Sequence, residues 1–264
     1  MGVVTPRQPR FEFPANIPRH WLAGSAFRSH LLNSFTLAFP PGEMFFIRTI
    51  KAALPQVRDP RLRVEADAFI RQEAQHAVEH RKYIHNLTAQ GFPAERIERA
   101  IGFVIRRVLE PRFSHRWRLS ITAGLEHFTA LLAEIGLREQ FLAEAHPVMR
   151  ELFEWHAAEE IEHRAVAYDV LSEVDDDYAL RVGGLLIAYI ILSGISTSAT
   201  VALLAHEGTL LERETLAEAG RILFTRERLF PKSLVIALRY LAPGFHPRGG
   251  PELDHLANAV LESA

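Results

Sequence analysis

The chain has 264 residues, 48% of them hydrophobic, a formal net charge of -2 and no cysteine. That length and apolar share support a sizeable core, and the near-neutral charge argues against a nucleic-acid partner. The lack of cysteine excludes disulfides, thiolate metal sites and cysteine nucleophiles, and it fits a cytoplasmic protein. The opening residues, MGVVTPRQPRFEFP, hold no apolar signal core, so no secretory leader is expected. Met1-Gly2 alone carries little for a myristoylation signal.

Residues 1–20 are rich in Pro and Arg and read as extended. A first helix is expected over 26–39, and Pro40-Pro41-Gly42 is expected to end it and start a second over 43–54. Pro55 and Asp59-Pro60 mark the next boundary. A long helix over 61–90 stops at Gly91-Phe92-Pro93, and another over 94–109 stops at Glu110-Pro111. Helices follow over 116–135, 138–145 and 147–174, the last ending at Asp175-Asp176-Asp177. A long apolar helix spans 181–207, with further helices over 212–224 and 231–241. Residues 243–251 read as a loop, and the last dozen as a small or frayed helix. No strand alternation or internal repeat appears, so the class is all-α. Residues 182–205 carry no charge and are long enough to cross a bilayer, which leaves membrane contact as an expectation. Gly183, Gly184, Ser193, Gly194, Ser196, Thr197 and Ser198 dilute that segment and suit close helix packing instead.

Chemistry concentrates in a repeated pattern. Glu73 and His76 lie three apart, on one helical face, and Glu160 and His163 repeat the spacing in another long helix. Glu43 precedes Glu73 by thirty residues, and Glu126, on an otherwise apolar helix, precedes Glu160 by thirty-four. Two Glu-x-x-His pairs with one further Glu from each of two other helices form the ligand set of ferritin-like two-metal bundles. Bridging carboxylates screen the repulsion between two divalent ions about 3.5–4 Å apart. The mixed oxygen and nitrogen donors suit iron first, with manganese or zinc as alternatives. His156 stands one turn before Glu160 and is a candidate seventh ligand; His80, one turn after His76, is a candidate additional one. The bland alternatives are a dipole-favoured helix-terminal charge for Glu43, a buried ion pair for Glu126, and packed or outer-sphere roles for His80 and His156. Glu159 and Glu162 flank Glu160 and are the nearest register competitors.

The stretches Ile17-Pro-Arg-His-Trp21, Phe39-Pro-Pro-Gly-Glu-Met-Phe-Phe-Ile47, Phe69-Ile-Arg-Gln-Glu-Ala-Gln-His76, Leu125-Glu-His-Phe-Thr-Ala130 and Trp155-His-Ala-Ala-Glu-Glu-Ile-Glu-His163 resemble a bacterial family labelled predicted metal-dependent hydrolases. The site is also similar to that of di-iron aryl-amine N-oxygenases, whose pattern His-x-x-x-Glu-x-x-His is matched here by His156 to His163. The second resemblance implies that His156 is a true ligand.

The reading is therefore one all-α domain, a ferritin-like bundle. Residues 1–20 are extended, 26–174 form the metal-binding core, and 181–264 add C-terminal helices. The leading functional expectation is a di-iron oxygenase or oxidase that takes O₂, a small organic substrate and electrons from an external donor. The alternatives are a hydrolase using a metal-activated water at the same centre, and an iron-binding protein without an organic substrate. A cytoplasmic location, with or without membrane association, and a homodimer fit the chain.

Overall fold

The computed structural model describes residues 4–262, and within them the chain is helical with no extended sheet. Met1-Gly2 and the first part of the expected extended segment lie outside the described residues. Four helices surround the centre: α1 (Ala26–Ala53), α2 (Pro60–Ala89), α4 (His115–Arg138) and α5 (Pro147–His163). Between them runs α3 (Ala94–Phe103), continued by a wider π-turn over Val104–Leu109. After them come α6 (Val166–Val174), α7 (Tyr178–Glu207), α8 (Arg213–Gly220), α9 (Leu229–Arg239) and α10 (Pro251–Leu261).

The helix starts follow capping chemistry. Ser25, Asp59, Ser114 and Asp177 each accept a backbone N–H of the following turn, which satisfies a donor that has no intrahelical partner. Pro60 and Pro147 sit at first helical positions, where a missing N–H costs nothing.

Two expected boundaries fall elsewhere. Pro40-Pro41 does not end a helix, because α1 runs through both prolines. Proline's fixed φ is compatible with a helix, and the two lost hydrogen bonds are offset by packing. Pro40 is buried, and Pro41 lies against Gly102 of α3. Glu43 is thus a mid-helix side chain rather than a helix-terminal charge. Conversely, the expected helix over 147–174 breaks at Arg164-Ala165 into α5 and α6. There the buried Arg164 guanidinium turns back to donate to the Ile161 carbonyl, and it also donates to Arg248 O and Asp254 Oδ1. Of the short helix expected over 138–145, residues 139–145 instead form turns closed by a bridge between Leu22 and Ala145.

One contiguous core runs through the bundle, with Trp155, Tyr83, Phe69, Leu37 and Ile50 among its fully buried side chains. Helix α7 covers α4 at short range. A Cβ on Gly124 would lie 2.9 Å from Leu185 Cα, and one on Gly184 would lie 2.6 Å from the backbone carbon of Ser120. Among the described residues α7 is the helix long and apolar enough to cross a membrane, and 28% of its most apolar window is buried. Its outer face shows Leu186 at 57% and Ile190 at 69% exposure, so α7 is neither a wholly buried rod nor a polar surface helix.

Candidate metal centre

Each of the four surrounding helices sends carboxylates or imidazoles inward. Glu43 comes from α1, Glu73 and His76 from α2, Glu126 from α4, and His156, Glu160 and His163 from α5. All seven are buried. His163 Nε2 lies 3.2 Å from Glu73 Oε1, 3.3 Å from Glu126 Oε2 and 3.5 Å from Glu160 Oε2. His76 Nδ1 lies 3.7 Å from Glu73 Oε1 and 3.8 Å from Glu160 Oε1, and His156 Nε2 lies 3.0 Å from the same Glu160 atom. Three overlapping groups bring ligand atoms within 4.8 Å of one another: Glu43 with His76 and His156, Glu73 with Glu126 and His163, and Glu73 with His76 and Glu160. Every residue expected from spacing is brought together except His80.

The inward atoms have no protein hydrogen-bond partner. This holds for both carboxylate oxygens of Glu43, Glu73 and Glu126, for Glu160 Oε2, and for His76 Nδ1, His156 Nε2 and His163 Nε2. Buried polar atoms without partners are rare and costly, so such a cluster at one point is a donor set shaped for cations. The outward imidazole atoms are all engaged. His76 Nε2 donates to Glu159 Oε2 at 3.0 Å, and His163 Nδ1 donates to Gln72 Oε1 at 3.1 Å. His156 Nδ1 lies 2.8 Å from His80 Nε2, and His80 Nδ1 lies 3.2 Å from Thr36 Oγ1. These contacts aim each ring and leave its other nitrogen facing the centre, the arrangement in which histidines bind metal. His80 engages both ring nitrogens with protein atoms and stands behind His156 rather than beside it at the centre.

Electrostatics bear out the crowding. Burial, followed by repulsion from Glu160 and Glu126, pushes the Glu43 carboxyl well above its ordinary range. Burial, then Glu126 and Glu160, does the same to Glu73. Burial and Glu160 push Glu126 up to about 7. At Glu160 burial works in the same direction, but the His163 charge and the close approach of the His156 and His163 rings outweigh it and hold the carboxyl low. Cations placed among these groups would relieve that repulsion.

Several supporting residues carry no strong sequence signal. Glu159 and Glu162, flagged only as register competitors, face away from the centre. Both accept from Arg7, at 3.1 and 3.0 Å, so the extended N-terminal segment is strapped across α5. Gln72 donates to Glu162 Oε2 at 2.7 Å, which fixes its own oxygen toward His163. Gln72 stands one turn before His76, a spacing that could have pointed to it. Arg7 could not have been found this way, because its partners lie over 150 residues further along the chain.

The sequence model of one family, described as predicted metal-dependent hydrolases, matches residues 5–250. The chain belongs to that family. Neither a curated protein nor a solved structure gives a match. Membership among predicted metal-dependent hydrolases overturns the leading expectation of a di-iron oxygenase or oxidase and favours the hydrolytic alternative. The error has a physical origin: carboxylates and imidazoles at this spacing report a metal-binding bundle, and the same donors serve redox and hydrolytic ions alike. In keeping with a metal-dependent family, the chain carries Glu and His clusters able to hold metal.

Proposed function

We propose that this protein is a metal-dependent hydrolase whose centre holds two divalent ions in the bundle interior. The observation that carries this reading is the cluster of unpartnered carboxylate and imidazole atoms in a chain of that family. Glu43, His76 and His156 would hold one ion and Glu73, Glu126 and His163 the other, with Glu160 within reach of Glu73 and His76. The oxygen-rich set with three imidazoles accommodates manganese, ferrous iron or zinc. When bound, such ions supply Lewis acidity that polarises a carbonyl or phosphoryl oxygen and brings the pKa of a water toward neutrality.

The chain's own residues do the rest. Glu159, Gln72 and His80 hold the three imidazoles with one nitrogen of each turned to the centre. Phe69 packs edge-on to His163, Trp155 edge-on to His76, and Phe39 stacks on His156, with ring centres 4.3–4.9 Å apart. These rings keep bulk water from the centre and strengthen every charge interaction inside it. Hydrolysis balances without an oxidant or reductant: water adds across the scissile bond, and one proton passes to the leaving oxygen or nitrogen.

The test is to strip the protein with chelator, reload it anaerobically with manganese, iron or zinc in turn, and assay a panel of esters and amides. About two ions per chain, with turnover that needs metal but not O₂, is the expected result. Glu126→Gln and His163→Ala should each cost more than the ~10–100-fold that removing an outer partner costs. Turnover that survives complete metal removal would refute the assignment.

A further inference from the structure

An apolar cavity of about 130 Å³ reaches the centre from the surface between α1, α4, α5, α7 and the start of α9. Its deep end is formed by His156 and Glu160, both buried and both in the metal cluster. Its walls include Phe35, Phe39, Leu132, Gly136, Phe141 and Leu192. Phe39 belongs to both regions, since it lines the cavity and stacks on the His156 ring at 4.3 Å. Polar groups gather at the outer end, where Glu139 pairs with Lys232 and Glu227 pairs with Arg28 at 2.6 Å.

An apolar passage to a hydrolytic centre is poorly suited to sugars, nucleotides or free amino acids, whose hydroxyl and charged groups would lose water without gaining partners. It suits hydrocarbon. A closed apolar cavity of similar size, ~150 Å³, stays dry and accepts benzene. We propose that this cavity receives the hydrocarbon part of the substrate. The protein would then hydrolyse esters or amides bearing an apolar chain or ring of about six carbons, the scissile bond lying at the His156 and Glu160 end. The chemical half of this inference rests on the hydrolase reading above; the cavity half stands on its own.

Gly136 provides a clean probe. A Cβ there meets nothing within 4 Å, so a larger side chain enters the open passage without displacing backbone. Gly136 lies within α4, where any larger helix former is favoured over glycine, so Gly136→Phe is expected to fold. The experiment uses the metal-loaded full chain and two readouts. In the first, calorimetric titration measures binding of 1-hexanol, an uncharged probe with no carboxylate to seek the metal. Saturable binding to wild type that falls at least tenfold in Gly136→Phe supports the cavity assignment. Absent binding, or equal binding to both proteins, overturns it. In the second, p-nitrophenyl esters from acetate to octanoate are assayed for turnover. Wild-type kcat/KM should rise about fourfold per methylene, as expected for burying each CH₂, until the passage is filled. In Gly136→Phe the rise with chain length should vanish. Metal-dependent turnover with a flat chain-length profile overturns the substrate class and leaves the hydrolase reading intact. Hexanol binding blocked by Gly136→Phe, with no ester turned over, supports the cavity and counts against the hydrolase reading instead.

Discussion

Glu126 concentrates the electrostatics of the centre in one side chain. Its carboxyl, pushed up to about 7 by burial and by Glu160, keeps its proton in the folded metal-free protein at a pH where the unfolded chain has released it. Stability from that proton is full below the ordinary carboxylate range and is lost as pH rises toward and past 7. Metal-free wild type should therefore melt at a lower temperature at pH 8 than at pH 5. In Glu126→Gln that difference should shrink, since the amide has no proton to lose; equal differences in the two proteins would show that Glu126 is already ionised. His80 acts through His156. Replacing it with Ala should weaken metal binding ~10–100-fold with secondary structure intact, and replacement by Gln, which can still face His156 Nδ1, should recover part of the loss. Six of the seven inward residues were legible because Glu, Glu-x-x-His and their repeat are local patterns on helices of known pitch, and His156 was a candidate from its place one turn before Glu160. Glu159 and Thr36 were not legible. Their roles depend on which way a neighbouring ring turns, and no spacing encodes that.

At the scale of the helix, the same contrast separates what pattern reveals from what packing decides. The long helices α2, α4 and α7 were readable from caps and apolar runs. The continuity of α1 across Pro40-Pro41 and the break at Arg164 were not, because burial decides the first and a guanidinium folded onto carbonyls from a distant loop decides the second. The α4–α7 contact has an equally specific basis. Ser120 Oγ donates to Leu180 O at 2.7 Å, and Gly184 leaves room for the Ser120 backbone to approach. Gly184→Ala should destabilise the protein by about 1–3 kcal/mol through overpacking. Gly194→Ala, where a Cβ would meet nothing within 4 Å, should be neutral or slightly stabilising. Thermal denaturation of the pair checks this, and equal melting temperatures would show that the two helices can separate without cost.

Across the whole molecule, the metal cluster is built by residues from α1 to α5 but held by contacts from outside that span. The N-terminal segment reaches α5 through Arg7, and Thr5 N donates to Glu162 Oε2 at 3.1 Å. From the other end, α10 packs on α4 and α5 through Leu253, Leu256 and Val260 around Ala158 and Ile161. Arg7→Ala removes the cation facing Glu159, which in turn holds His76. It should weaken metal affinity by about tenfold or more without loss of helix content, as measured by competition with a chromophoric chelator. Unchanged affinity would reduce the strap to a surface tether.

The strap also sets an order of events. Arg7 is made early and its partners Glu159 and Glu162 some 150 residues later, so during synthesis the leading segment waits until α5 has been made. Closing so distant a contact is slow compared with forming the helices themselves. The side chain that orients His76, Glu159, is therefore braced from the N-terminal side only once α5 is in place.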